Sequence, residues 1–309
     1  MTTAVGRARA WFALQALTGL VWWAAVAWSD DVRRWTLGTW PAARVAIPDL
    51  LLFSGAAAMA AWRGSRGWAL ASTAWTVAVT VGLSVYALST RQAGWGAAAM
   101  VVASLGGITA TATLWFGRLP LEWFFRGPFG FRVAAARTPA RHLLHSIGQV
   151  IVFWSFFLLF LPAMLSWIEH RLRLSWPVLD HRAVASIGVL LFVCGSIVGL
   201  WSMATMAVRG RGTPLPAATA RHLVVTGPYR SVRNPMAVAG AVQTVGVGLW
   251  LGAWSVVVTA VVGGVMWHLL IRPGEEADLL ARFGQPYEAY RTKVRCWIPR
   301  RPIPTATIR

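Results

Sequence analysis

Long apolar stretches separated by short polar breaks dominate this chain. The runs at 11–28, 44–62, 68–88, 94–116, 147–168 and 183–208 match the roughly 20 residues that a helix needs to cross a bilayer. A further run from 236 to 271 is too long for one ordinary crossing. Near its middle, Leu249-Trp-Leu-Gly-Ala-Trp254 offers a glycine for a turn and two tryptophans suited to a membrane interface. Splitting the run there predicts an all-α integral membrane protein of about eight transmembrane helices with a C-terminal cytoplasmic helical tail.

Composition agrees with that reading. Hydrophobic residues make up 57% of the chain and charged residues 13%, and mean hydropathy is +0.56, outside the range of soluble domains. A net charge of +19 would suggest nucleic acid in a soluble protein, but here it follows the loops. Arg7 and Arg9, Arg63 and Arg66, Arg118 through Arg141, Arg209 through Arg233 and the Arg-rich tail fall on one side when eight spans are counted. The positive-inside rule makes that side cytoplasmic, with both termini inside, as in a bacterial inner-membrane protein. Lys293 is the sole lysine beside all this arginine, a pattern of GC-rich coding rather than of phosphate recognition, and no nucleic-acid partner is expected. The first helix reads as an uncleaved anchor. Cys194 and Cys296 show neither disulfide nor metal spacing, and nothing in the sequence specifies a protein partner.

Residues 1–116 form a four-helix membrane module without a nameable motif, and 117–146 mix Arg and aromatics with Gly and Pro as an interfacial linker. The domain 147–309 carries the polar signatures, concentrated in 210–302. Its loop 209–235 holds Pro214, Pro216, Gly227, Pro228 and Pro235, so irregular backbone is expected. Asn234-Pro235 reads as a helix start, and with Arg230 and Arg233 alongside it forms a natural anion site. After the last apolar run, Pro273-Gly274 is expected to break the chain, with Glu275, Glu276 and Asp278 in the first turn of a short helix. Gly284 should end that helix and Pro286 begin another. The chain has ten acidic residues, and four of them (Glu275, Glu276, Asp278, Glu288) fall within this short segment. Arg and His before a helical hairpin, with carboxylates after it returning to the same face, make a dipolar pocket suited to a zwitterion.

The segment His222-Leu-Val-Val-Thr-Gly-Pro-Tyr-Arg-Ser-Val-Arg-Asn-Pro-Met236, a hairpin, Glu275-Glu-Ala-Asp-Leu-Leu-Ala-Arg-Phe-Gly-Gln-Pro-Tyr-Glu-Ala-Tyr290 and a closing Trp297-Ile298-Pro299 resemble the isoprenylcysteine carboxyl methyltransferase and phospholipid methyltransferase superfamily. The resemblance covers about 210–302 and is specific in combination. It implies an enzyme that binds S-adenosyl-L-methionine (SAM) between the loop and the Glu-Glu helix and methylates a lipophilic or small acceptor (a carboxylate, amine or thiol), with membrane lipid as the surrounding medium. On this resemblance the cofactor-binding residues are His222, Leu223, Val224, Val225, Gly227, Tyr229, Arg233, Asn234, Pro235, Glu275 and Glu276, with Arg272 as the catalytic residue near the acceptor. Arg233 and the helix start would take the SAM carboxylate, Glu275 or Glu276 the amine or ribose hydroxyls, and Tyr229 and His222 the adenine. No metal is required. Two departures stand out: Asn234 replaces a frequent His and Ala237 a frequent Tyr. A Gly-x-Gly expected in the preceding helix is not obvious in 183–208.

Other residues have plainer readings. Tyr287 and Tyr290 are packing residues, and Gly246-Val-Gly248 is helix packing. Gln243 and His268 either line a cavity or make interhelical hydrogen bonds. Asp49, beside Pro48, is a cap near a span end, while His142 and His145 lack a third metal ligand. Two competing functions remain: an NADPH-dependent membrane reductase of the sterol or steroid reductase type, which has similar closing motifs, and a non-catalytic membrane protein that keeps the fold. Gly240-Ala241 and Glu275-Glu276-Ala-Asp278 differ from the reductase pattern and favour methyl transfer.

Overall fold

The computed structural model describes residues 2–120, 132–135, 138–213 and 219–299. The centre of the expected interfacial linker, Pro214 and Pro216 of the loop, and the Arg-rich tail beyond Pro299 lie outside the described residues. Two compact units divide the chain: Met1–Pro120 with Ile168–Leu174, and Leu121–Trp167 with Ser175–Arg309.

The first unit contains α1 (Thr2–Trp28), the short α2 (Asp30–Thr36), α3 (Ala42–Arg63), α4 (Arg66–Thr90) and α5 (Gly94–Phe116). Ser29 caps α2 by accepting from the Val32 N–H, and Gly64 and Gly117 end α3 and α5 in the left-handed region. Small residues build the core: Ala57, Ala60, Ala69 and Ala110 are buried around Phe12 and Leu114. Small side chains let helix backbones approach closely, and hydroxyl pairs join them where they do. Thr73 and Thr111 meet at 2.8 Å and Thr80 and Ser104 at 2.7 Å. Asp49 corrects the expectation of a cap. α3 runs straight through Pro48 and Asp49 into a π turn at Leu50–Gly55, and the carboxylate is buried, accepting from the Trp23 indole at 2.8 Å and the Trp75 indole at 2.9 Å.

The second unit holds α6 (Pro139–Arg171) as far as Trp167, with α7 (Arg182–Gly210), α8 (Pro235–Trp250), α9 (Trp254–Phe283) and α10 (Gln285–Lys293). Close approach of α7 to α8 depends on glycine: a Cβ on Gly246 would stand 2.6 Å from the Gly188 carbonyl oxygen, and one on Gly195 2.8 Å from Gln243 Cγ. The buried Gln243 amide donates to Ser196 Oγ at 3.0 Å, which makes it an interhelical hydrogen bond rather than a cavity group.

Among the described residues seven helices are long and apolar enough to cross a membrane, and α8, at 16 residues, is a shorter apolar helix. The protein is all-helical and integral to a membrane. The long apolar run divides where the glycine stands: Gly252 turns at φ +65° between α8 and α9. Pro273-Gly274, in contrast, does not break the chain. A π turn at Trp267–Ile271 precedes Arg272, and the α-helical ladder resumes with Pro273 in its first turn, where a missing N–H costs little. α9 therefore reaches about 45 Å, longer than the roughly 30 Å hydrocarbon core.

Candidate functional site

The segment after α7 returns across the end of α9 and α10. Gly210 O accepts the backbone N–H groups of Arg221 and His222 at 2.7 and 3.1 Å, which turns the chain. Leu223-Val224-Val225 then alternates as extended backbone does. Leu223 and Val225 pack on Tyr287, Tyr290 and Val294, whereas Val224 is buried with Ala220 and Tyr229 against Met206 and Met236. Gly227 takes φ +59° to enter the tight turn Gly227–Arg230, which buries Pro228 and Tyr229. The Tyr290 hydroxyl donates to the Tyr229 carbonyl oxygen at 2.7 Å and ties α10 to this turn. Asn234 then caps α8, its side-chain oxygen accepting the Ala237 N–H at 3.1 Å, with Pro235 buried in the first turn.

The last turns of α9 supply the charges. Asp278 pairs with Arg282 at 2.6 Å, and Arg282 Nη1 donates to Ala220 O at 2.6 Å, so this carboxylate anchors the helix to the loop. Glu276 is the centre of a denser group: one of its oxygens lies 3.0 Å from Arg233 Nη1 and 3.5 Å from Arg272 Nη1, and the other 3.8 Å from Arg291 Nη1. Three guanidinium groups thus approach one carboxylate, and the outermost of them, Arg291, also pairs with Glu288 at 2.9 Å. Arg233 is held but not satisfied. Its side chain is 14% exposed, its backbone N–H donates to Arg295 O at 2.9 Å, and its Nε and Nη1 donors are buried without a hydrogen-bond acceptor, because Glu276 stands beside Nη1 off the N–H direction. The Tyr229 hydroxyl is likewise buried without a partner. Glu275 makes no ion pair among the described residues, and it is close enough to Tyr229, Tyr287 and Cys296 to act on each electrostatically.

The phenols of this cluster stay protonated. Burial drives Tyr229 far above its ordinary value, with Tyr290 and Glu275 adding to the shift. Tyr287 is pushed up to about 12, by burial first and by Glu276 next, with Arg233 opposing. Burial raises Tyr290 further, against the pull of Arg233. It also raises the Cys296 thiol, against Arg233 and Arg272. Each group is therefore a neutral donor near neutral pH, facing a charged pair of known sign.

The structure brings Tyr229, Arg233, Arg272, Glu275 and Glu276 together, with Leu223, Val224 and Val225 packed behind them. It does not bring all expected residues there. His222 is exposed and makes no side-chain hydrogen bond or ring contact among the described residues, so it forms no sandwich with the buried Tyr229. Gly227 faces a separate open cleft of about 320 Å³, lined also by Trp201, Thr205, Val208, Arg209 and Thr226. Asn234 and Pro235 serve the start of α8, where the Asn side chain already occupies one helix-end donor. Two members of the cluster escaped sequence reasoning. Arg291 sits one turn beyond Tyr287 on α10, a helical spacing that was available as a signal. Cys296 reaches the cluster through non-helical chain after α10, and no periodicity announces it.

No curated protein matches the chain. The family model for phospholipid methyltransferase (PEMT) matches residues 184–285, a stretch that runs from α7 through α9 and includes Arg233, Arg272, Glu275 and Glu276, so this part of the second unit is similar to that family.

Proposed function

We propose that the protein is a SAM-dependent membrane methyltransferase whose cofactor site is the cluster around Glu276. The observation that carries this reading is a set of buried donors without hydrogen-bond acceptors among the described residues, Arg233 Nε and the Tyr229 hydroxyl, beside Glu275, which makes no ion pair among those residues. A buried donor left unmade costs about 1–3 kcal/mol, so such a set calls for a ligand that accepts. SAM is a zwitterion that fits: Arg233 would take its carboxylate, Glu275 its amine or ribose hydroxyls, and the Tyr229 hydroxyl a further acceptor. Glu276 orients Arg233 from 3.0 Å and shares its charge with Arg272 at 3.5 Å, while Arg291 is held chiefly by Glu288.

Bound SAM supplies a methyl group already activated by a sulfonium. The protein's part is then positioning and exclusion of water. Leu223, Val225, Tyr287 and Tyr290 provide the apolar wall, and neutral phenols do not compete as nucleophiles. Arg272, one turn before Glu276 on α9, is the group placed to orient an anionic or electron-rich acceptor arriving from the bilayer. The Arg-rich loops put this site and both termini on the cytoplasmic side of a bacterial inner membrane.

Calorimetry on the purified protein in detergent tests the assignment. SAM and its demethylated product should bind in competition with each other, and NADPH should not bind. Tight NADPH binding without SAM binding would turn the assignment toward a reductase.

A further inference from the structure

The first unit carries a buried polar seam that methyl transfer in the second unit does not use. We propose that it binds one alkali cation, of sodium or potassium size, between α1, α3 and α4, on the Asp49 carboxylate, Gln15 Oε1 and Ser54 Oγ. Asp49 is 5% exposed inside a membrane-spanning helix, and no cationic side chain pairs with it among the described residues. Two indole N–H groups hold the carboxylate in place, Trp23 on one oxygen and Trp75 on the other, but they leave its charge uncompensated. An ionisable side chain within a span is costly and marks a functional site when a partner for it can be named.

Two independent observations point to that partner. Gln15 and Ser54 are each 3% exposed, and Gln15 Oε1 and Ser54 Oγ are buried without hydrogen-bond partners. Both belong to the same seam. Asp49 directly precedes the π turn Leu50–Gly55 of α3, which carries Ser54. Ser54 presses against α1 where Gly19 leaves room for it: a Cβ on Gly19 would stand 2.3 Å from Ser54 Oγ. One turn earlier on α1, Gln15 donates to Ser72 Oγ at 3.0 Å and Thr76 Oγ1 at 3.2 Å of α4. Ser72 in turn donates to Phe53 O, next to Ser54, and Trp75 of the same helix reaches Asp49.

The donor balance selects the ligand. With the Gln15 amide, both indoles and the Ser72 and Thr76 hydroxyls already donating, what remains is oxygen acceptors around a single negative charge. A water molecule would satisfy Gln15 and Ser54 but would not offset an ionised carboxylate, and a divalent ion would call for more carboxylates than the seam offers. A monovalent, oxygen-seeking cation meets both requirements.

The test is thermal unfolding of the purified full chain in detergent, in sodium, potassium or choline chloride at one ionic strength. Sodium or potassium should raise the midpoint saturably over choline, which is too large for the seam. The rise should vanish in Asp49→Asn, and its half-saturating concentration should increase at least tenfold in Ser54→Ala, a change that removes only one oxygen. Should Asp49→Asn fail to fold, Ser54→Ala decides alone. Equal midpoints for the parent in all three salts, or a salt effect unaltered in Ser54→Ala, would overturn the proposal.

Discussion

The indole N–H of Trp297 donates to Nδ1 of His268 at 2.9 Å, and the same ring meets Trp267 edge-on with centroids 5.2 Å apart. Since Nδ1 accepts, the imidazole proton resides on Nε2. His268 is thus satisfied by the chain end rather than by a neighbouring span. Two residues upstream, Arg295 O accepts the Arg233 N–H, so the segment after α10 is fastened to the loop and to α9 on either side of Cys296. It runs beside the charged cluster as a strap held at both ends.

That strap should come loose in a measurable way. Trp297→Phe keeps an aromatic ring but loses the donor, which costs about 1 kcal/mol for the hydrogen bond in addition to the packing of the smaller ring. In a double-mutant cycle with His268→Phe, thermal stability should show a coupling of the same order. Strictly additive losses would mean that the two side chains are not bonded in solution.

Arg233→Ala and Glu275→Ala should each weaken SAM binding about ten- to hundredfold, the equivalent of roughly 1.5–3 kcal/mol for a charge-assisted hydrogen bond. Titration calorimetry on folded variants provides the readout. Parental affinity in both would place the cofactor elsewhere.

Arg272→Ala separates the two substrates. Arg233 and Arg291 still hold Glu276 when Arg272 is gone, so SAM affinity should change little, while turnover with a membrane lipid extract as acceptor should fall. Loss of SAM binding in proportion to turnover would move Arg272 into the cofactor site.

The buried phenols link stability to alkaline pH. Tyr287 has a folded pKa of about 12 against roughly 10 for a free phenol. A raised folded value means that the unfolded chain loses its proton first. Its stabilising contribution is complete below pH of about 10 and is lost as pH rises toward 12. Thermal midpoints should therefore fall across that window, and Tyr287→Phe should flatten the decline; a variant that declines as steeply as the parent would leave the loss to Tyr229 and Tyr290.

Much of this molecule could be read along the chain because its strongest rules are local. The apolar runs set helix length, Gly252 and Gly284 permit the backbone angles at which helices end, and Asn234-Pro235 starts α8 through a cap bond only three residues long. The polar signatures on either side of the hairpin also pointed to Arg233 and Glu276, which the structure pairs at 3.0 Å. Local rules misled at two points. Pro273 was expected to break the chain, but a π turn ahead of it absorbs the missing hydrogen bond, and Asp49 was expected to cap a helix that in fact continues past it.

What tertiary structure alone decided is which partners the charges and hydroxyls find. Residue spacing cannot show that Glu276 faces three guanidinium groups while Glu275, its neighbour on the same helix, faces none, because adjacent helical residues point about 100° apart and their surroundings come from distant segments. Nor can it show that Tyr290 reaches the Tyr229 carbonyl, that Cys296 enters the cluster, or that two tryptophans from separate helices converge on Asp49. Chain-local physics determined how long each helix is and where it stops. The close approach of those helices, which the small side chains permit, decided which buried polar atoms find partners and which do not.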